Sequence, residues 1–377
     1  MGLQSRTISS IARGLKPAQY KAPYTRSIQV VIARNIQLAS ASSPTHTIKT
    51  CPRAHGYVWQ RSMATVTNST ESTPPPKGVY VPAVLFMDQN EELDIPAITS
   101  HVLRLANGGV TGILVQGSNG EAQHLSHEER KLAIATTRKV LDENGFKDVV
   151  VIAGTGAQST KETKKLCQDA YDAGAAYALV LTPSTWPPQM SKANIIRFHR
   201  EVADASPIPT MIYNFPTVTA GQDLDSDVIA SLGTHPNIVG TKLSCGNIGK
   251  LQRLTSSLSP AKFATFPGKS DVFLQGLYSG SAGVIGALPN VAPKAHIHLF
   301  KLWKDGRLDE AAKLQALLSH ADWQLGKVGS IAGIKAVVSK HFGYGQRFVR
   351  GPLGPVEDIN AFTIDKLEEL IALEKTL

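Results

Sequence analysis

Cysteine is scarce in this chain of 377 residues: three are present, with no Cys-x-x-Cys pair and no Cys/His ligand spacing. A disulfide scaffold and a zinc ribbon are thereby excluded. Long apolar runs are also missing. None approaches the roughly eighteen residues that a membrane-spanning helix needs. The third absence is local: residues 1–70 contain no Asp or Glu, but nine basic residues (Arg6, Arg13, Lys16, Lys21, Arg26, Arg34, Lys49, Arg53, Arg61). The formal charge of +9 comes from 39 Lys and Arg against 30 Asp and Glu, so the other 307 residues carry 30 of each sign and are neutral. A basic surface for nucleic acid is therefore not expected on the folded part. With 42% apolar and 18% charged residues, disorder throughout is excluded as well.

The acid-free stretch also holds seventeen Ser and Thr, the composition of an organelle transit peptide. Ile8, Ile11, Ala12 and Leu15 recur at helical spacing among Arg6, Arg13 and Lys16, and Ile28, Val31, Ile32 and Ile36 repeat the pattern beside Arg26 and Arg34. A short basic amphipathic helix is drawn to an import receptor and a negative-inside potential. Residues 1–63 are accordingly read as a transit peptide for the mitochondrial matrix, with Arg61-Ser62-Met63 as a processing region. The alternatives are a chloroplast address and a basic tail that binds something acidic. Residues 64–77, with Pro74, Pro75 and Pro76, read as a stiff linker.

From Gly78 onward, short apolar runs alternate with amphipathic stretches. The runs are Val79–Phe86, Gly112–Gln116, Val149–Ala153, Ala178–Leu181, Pro209–Tyr213, Ile238–Lys242, Lys262–Phe266 and Gly283–Ala287. Ser126, followed by Glu129 at the capping-box position, marks a helix start, and Ser159, Ser191 and Ser270 precede three more. Continuously apolar strands are those of a buried parallel sheet. Eight βα units predict an α/β fold, a (β/α)8 TIM barrel over residues 78–305, with an open doubly wound sheet as the alternative. The helical patterns Lys294–Lys304, Leu308–Leu325, Ile331–His341 and Thr363–Leu377 exceed the one helix needed for closure, so residues 306–377 are expected to form a C-terminal helical appendix.

Active sites of such barrels lie at the C-terminal strand ends. After the second run, Gln116-Gly117-Ser118-Asn119-Gly120-Glu121 is a glycine-bracketed turn whose N–H groups and side chains suit a carboxylate or phosphate, or it is an ordinary βα turn. The sixth run ends Gly240-Thr241-Lys242-Leu243-Ser244. Burial disfavours an ammonium and favours a free amine, which attacks a ketone to form an imine. The same lysine could instead snorkel to solvent or pair with a carboxylate. The fifth run ends Tyr213-Asn214-Phe215-Pro216, where Tyr213 could exchange a proton with a substrate hydroxyl or be a satisfied core residue. Gly268, ending the seventh run, permits close approach of backbone to a ligand.

Other signals are weaker. Gly154-Thr155-Gly156 lacks the third glycine and the acidic residue of a dinucleotide fingerprint. His296 and His298, two apart on a helix, do not share a face. Cys167 reads as packing, Cys245 as a neighbour of the site, and Trp303 and Trp323 as core.

The three ordered motifs Gly117-Ser118-Asn119-Gly120-Glu121, Tyr213-Asn214-Phe215-Pro216 and Gly240-Thr241-Lys242-Leu243-Ser244 resemble those of the dihydrodipicolinate synthase / N-acetylneuraminate lyase family, over about Gly78 to Gly351. The resemblance implies a class I aldolase on a (β/α)8 barrel, usually a homotetramer, acting on a small-molecule 2-oxo acid without metal or cofactor, nucleic acid or membrane. Carried over by motif, Lys242 is the Schiff-base lysine and Tyr213 the proton relay. Ser118 and Asn119 hold the substrate carboxylate, and Ser244 and Gly268 complete the pocket. The Ser-Asn form of the glycine loop resembles the branch that cleaves 4-hydroxy-2-oxoglutarate to pyruvate and glyoxylate. The Thr-Lys-Leu-Ser form also resembles aldolases of 3-deoxy-hexulosonates, and a barrel that has lost catalysis and serves as a binding protein is the remaining alternative.

The pattern departs from the family at three places. Where many members have a tyrosine pair this chain has Ser184-Thr185-Trp186, with Thr185 the only substitute for a relay. No arginine follows Pro216 to take a second carboxylate. Leu243 stands where relatives often have an acid.

Overall fold

The computed structural model describes residues 72–377; the expected transit peptide lies outside them. Of the expected linker, Ser72–Lys77 runs along the N-terminal strand ends. Pro75 is buried, the Tyr80 hydroxyl donates to Pro76 O (2.7 Å), and the Ser72 hydroxyl donates to Asn237 Oδ1 (2.9 Å).

Among the described residues eight parallel strands form a (β/α)8 barrel: β1 (Gly78–Pro82), β2 (Gly112–Val115), β3 (Val150–Gly154), β4 (Tyr177–Leu181), β5 (Thr210–Asn214), β6 (Ile238–Leu243), β7 (Ala264–Pro267) and β8 (Gly283–Ile285). Each strand from β1 to β7 pairs with the next in sequence, β8 pairs with β1, and β7 and β8 share no ladder but approach where Ala282 N–H donates to Thr265 O (3.0 Å). Both strand faces are covered, which explains the continuous apolar runs. Tyr80, Leu114, Ile152, Leu179, Met211 and Phe266 fill the interior, while Val79, Val81, Ile113 and Val115 pack outward on the helices.

The helices are α1 (Ile95–Asn107), α2 (His127–Glu143), α3 (Thr160–Asp172), α4 (Lys192–Ala205), α5 (Ser226–Leu232), α6 (Ile248–Ser257), α7 (Phe273–Tyr278) and α8 (Pro293–Lys304). Ser126, Ser159 and Ser191 cap α2, α3 and α4, with the reciprocal Ser126–Glu129 box present. Ser270 is different. It begins a short 3-10 turn, Ser270–Val272, so Val272 takes the capping position of α7, which starts at Phe273 without a side-chain cap, and the Ser270 hydroxyl meets His296 Nε2 at 2.9 Å. The first run is also shorter than its apolar pattern: β1 ends at Pro82, and buried Ala83–Phe86 leave the ladder, with Val84 N–H donating to Asn290 Oδ1 (3.0 Å).

The C-terminal helices α9 (Leu308–Lys327), α10 (Ile331–Phe342) and α11 (Asp365–Thr376) pack on one another and on α8. The Ser270–Val272 turn packs against α9. No described helix is long and apolar enough to cross a membrane.

Candidate active site

Lys242 owes its direction to an irregularity in β6. Thr210 pairs with Ile238, but Met211 pairs with Gly240, so Val239 is an extra residue in the β5–β6 ladder. Strand side chains alternate between faces, and a bulge, by setting two successive residues against one partner, shifts that alternation by one residue beyond it. Ile238 packs outward and Val239 inward; after the bulge, Leu243 packs outward and Lys242 lies opposite inward-facing Tyr213. Gly240 permits this step, since a Cβ there would stand 2.6 Å from Ala264 O.

Lys242 is 3% exposed, with Nζ 3.3 Å from the Tyr213 hydroxyl and 4.3 Å from the centre of its ring. The Tyr213 ring stacks on Phe215 at 5.6 Å. Asn214, between them, anchors the following loop, donating from Nδ2 to Asp223 (2.7 Å) and accepting the Leu224 N–H (3.0 Å). The two groups thus stand side by side, an amine and a phenol at the C-terminal barrel mouth.

The glycine loop after β2 turns sharply. Gln116 has φ +48°, Ser118–Gly120 form a 3-10 turn, and Glu121 is left-handed at φ +54°. Asn119 Nδ2 reaches Pro82 O at 3.4 Å. Glu121 is held by the C-terminal region. Its Oε1 accepts from Lys335 Nζ (2.5 Å) and its Oε2 from the Arg350 N–H (2.8 Å); both side chains of the ion pair are fully buried. Lys335 also donates to Phe348 O (2.8 Å). Burial pushes the Lys335 ammonium below its ordinary pKa while Glu121 pulls it back up.

Ser244 and Gly268 meet at the ends of β6 and β7. A Cβ on Gly268 would fall 2.2 Å from Ser244 Oγ, and the Gly268 N–H donates to Leu243 O (2.8 Å). Lys242, Tyr213, Asn119, Ser244 and Gly268 line one cavity of about 470 Å³. Ser118 instead lines a second cavity of about 260 Å³ that meets the first at Tyr213. Thr185 is not brought to Tyr213: it is exposed, and its hydroxyl donates to Gln158 Oε1 at 2.7 Å. Cys167 is buried, Cys245 packs beside the β6 end, and His296 is buried with its pKa depressed to about 4 by desolvation.

Several residues of the site escaped the sequence reading. Trp323, expected in the core, is 66% exposed and lines the larger cavity with Asp322, Lys327, Ser330 and Ile334, so the appendix forms part of its wall. Asp322 accepts the N–H groups of Ser270 (3.1 Å) and Asp271 (3.2 Å); burial, then the Asp271 charge, raises its carboxyl to about 6. Asp271 Oδ1, buried in the same wall, has no hydrogen-bond partner among the described residues. Lys335 did carry a legible signal, a lone charge in the apolar run Ile331–Val338.

Comparison with known proteins gives a consistent result. The model of the dihydrodipicolinate synthetase family matches residues 75–369. A protein of Emericella nidulans named "Probable 4-hydroxy-2-oxoglutarate aldolase, mitochondrial" is 47% identical over 300 residues, covering 80% of this chain and 96% of its own length. The L-threo-3-deoxy-hexylosonate aldolase of Aspergillus niger is 41% identical over 332 residues, 81% of this chain and 98% of its own. Among solved structures, a dihydrodipicolinate synthase family protein from Coccidioides immitis superposes with TM-score 0.73 at 35% identity, covering 81% of this chain and 98% of that one. YagE of Escherichia coli K12, solved with pyruvate, gives TM-score 0.71 at 29% identity, covering 80% and 98%.

Proposed function

The chain belongs to the dihydrodipicolinate synthetase family, and we propose that within it this protein is an imine-forming aldolase that cleaves 4-hydroxy-2-oxoglutarate to pyruvate and glyoxylate. The observation that carries the reading is the buried Lys242 amine 3.3 Å from the Tyr213 hydroxyl. In this mechanism the Lys242 amine attacks the C2 ketone and water leaves, forming a protonated imine. Tyr213 accepts the C4 hydroxyl proton as the C3–C4 bond breaks; its electron pair flows into the imine, giving an enamine and free glyoxylate. The enamine takes a proton at C3 and water hydrolyses the imine, releasing pyruvate. Ser118 and Asn119 hold the C1 carboxylate, and Ser244 and Gly268 shape the wall beside the imine.

A second reading keeps the chemistry and changes the substrate to a 3-deoxy-hexulosonate. The Aspergillus niger relative favours it, as does the unpartnered Asp271 Oδ1, an acceptor for hydroxyl groups. Nothing in the comparisons favours a lapsed binding protein. The mitochondrial matrix as location is supported by the acid-free leader and by the name of the Emericella relative. A homotetramer follows the family resemblance, and the division into leader 1–63, linker 64–77, barrel 78–305 and appendix 306–377 is retained as part of this reading.

Borohydride reduction with pyruvate, followed by intact mass, tests the mechanism. A stable adduct that is lost in Lys242→Arg is expected; no adduct on folded wild-type protein would refute imine formation. Pyruvate release from 4-hydroxy-2-oxoglutarate compared with that from 3-deoxy-hexulosonates separates the two substrates.

A further inference from the structure

The substrate proposed above carries a second carboxylate, on the fragment released as glyoxylate. The chain has no arginine in Thr217-Val218-Thr219 to receive it. We propose that Lys269 receives this distal carboxylate and so determines specificity for a dicarboxylic 2-oxo acid; the assignment rests on the aldolase reading.

Two cavities meet at Tyr213, and their cations differ. The smaller is lined by Gln116, Ser118, Gln123, His124, Gln158 and Ser184, with Glu121 as its charged residue and no lysine or arginine among the described residues. Lysines line only the larger one: Lys242, Lys269 and Lys327. Lys242 is spent on the imine. Lys327 lies in the last turn of α9, with its ammonium over the exposed Trp323 ring at 5.3 Å. Lys269 directly follows Gly268, whose N–H is fixed to Leu243 O beside Ser244, so its side chain departs from a held point in the wall. Its ammonium lies over the loop after β6, where a Cβ on Gly246 would stand 3.9 Å from Nζ. The acid whose carboxyl senses its charge is Asp322, across the same wall. Of the two acids of this wall, Asp322 accepts the Ser270 and Asp271 N–H groups and feels the Lys269 charge, which works against the effect of its burial, while Asp271 Oδ1 stands alone.

Strand order supplies the direction. Four places separate β2 from β6 in a ring of eight, so the glycine loop and Lys242 face each other across the mouth, and β7 adjoins β6. With C1 toward the glycine loop and C2 on Lys242, the far end of the substrate is left to the wall on the Lys242 side, where Lys269 emerges. A carboxylate there gains a charge-assisted contact that a polyhydroxy aldehyde fragment does not need.

Lys269 is exposed, so Lys269→Met should leave the core intact, and the borohydride-trapped pyruvate adduct confirms a working barrel. The variant should raise KM for 4-hydroxy-2-oxoglutarate by about 10-fold or more. It should weaken inhibition by 2-oxoglutarate equally, with pyruvate trapping and any turnover of a 3-deoxy-hexulosonate changed less than about 2-fold. Lys269→Arg should restore most of the loss. Undiminished cleavage by Lys269→Met, or equal losses on both substrate types, would overturn the assignment while leaving the aldolase reading standing. Wild-type protein that traps pyruvate but leaves 4-hydroxy-2-oxoglutarate intact would overturn the substrate reading and this assignment together.

Discussion

Lys335→Met removes one partner of the buried pair that ties the glycine loop to α10. The Glu121 carboxylate would keep the Arg350 N–H at 2.8 Å and lose the ammonium on Oε1, with no solvent to replace it. Leaving a buried charge unpaired costs about 3–5 kcal/mol, a large share of the roughly 5–15 kcal/mol that holds a typical domain together. For a folded part of about 300 residues that corresponds to a fall in Tm of roughly 5–8 °C. Calorimetry on wild type, Lys335→Met and the double variant Lys335→Met/Glu121→Gln separates charge from packing. The glutamine still accepts the Arg350 N–H but carries no charge, so the double variant should recover half or more of the loss. Because Ser118 and Asn119 lie just before Glu121, the single variant should also raise KM for the 2-oxo acid. A loss below about 1 kcal/mol, or a double variant no better than the single, would refute the reasoning.

Tyr213→Phe should keep the pyruvate adduct and lose cleavage by about 10²–10⁴-fold, read by trapping and by turnover; unchanged turnover removes Tyr213 from the mechanism. Gly268→Ala forces a methyl group to within 2.2 Å of Ser244 Oγ and 2.7 Å of its Cα. A Tm loss corresponding to about 1–3 kcal/mol and a displaced pocket wall are expected; an intact Tm and KM would show that the wall yields. Asp322 makes a pH-dependent contribution. Its folded value, about 6, lies above the unfolded one, so the folded state binds the proton more tightly. The stabilisation is complete below the unfolded value and is lost as pH rises through about 6. Denaturant titrations across pH 4–7 should show that slope in wild type and a shallower one in Asp322→Asn; identical slopes would refute it.

The barrel was legible because its signals are local. Continuous apolar runs mark strands covered on both faces, and Ser126, Ser159 and Ser191 announce helices by a hydrogen bond three residues away. Lys242 and Tyr213 stood out as polar ends of apolar runs, a conflict visible in one dimension. The failures are tertiary. Ser270 has the composition of a cap, but its hydroxyl is engaged by His296, twenty-six residues on. Trp323 occupies an apolar position on its helix, yet that face borders the open mouth. Nothing near Glu121 in sequence points to Lys335, because a separation of 214 positions is bridged only by folding the appendix over the mouth.

The extra residue in β6 has a consequence for how this chemistry can be gained or lost. On either side of Val239 the strand is in the same sheet with the same neighbours, and only the parity differs. Deleting Val239 would make the ladder regular, with Ile238 and Gly240 on consecutive partners, and would leave the lysine opposite Tyr213; a residue gained or lost without such a bulge would instead bring threonine or leucine to the mouth and hand the amine to the helical layer. The bulge therefore lets this one strand differ in length by a residue without changing the face that the amine occupies. A relative with all three motifs intact but one residue fewer before its lysine should lack the bulge and still present the amine to the mouth.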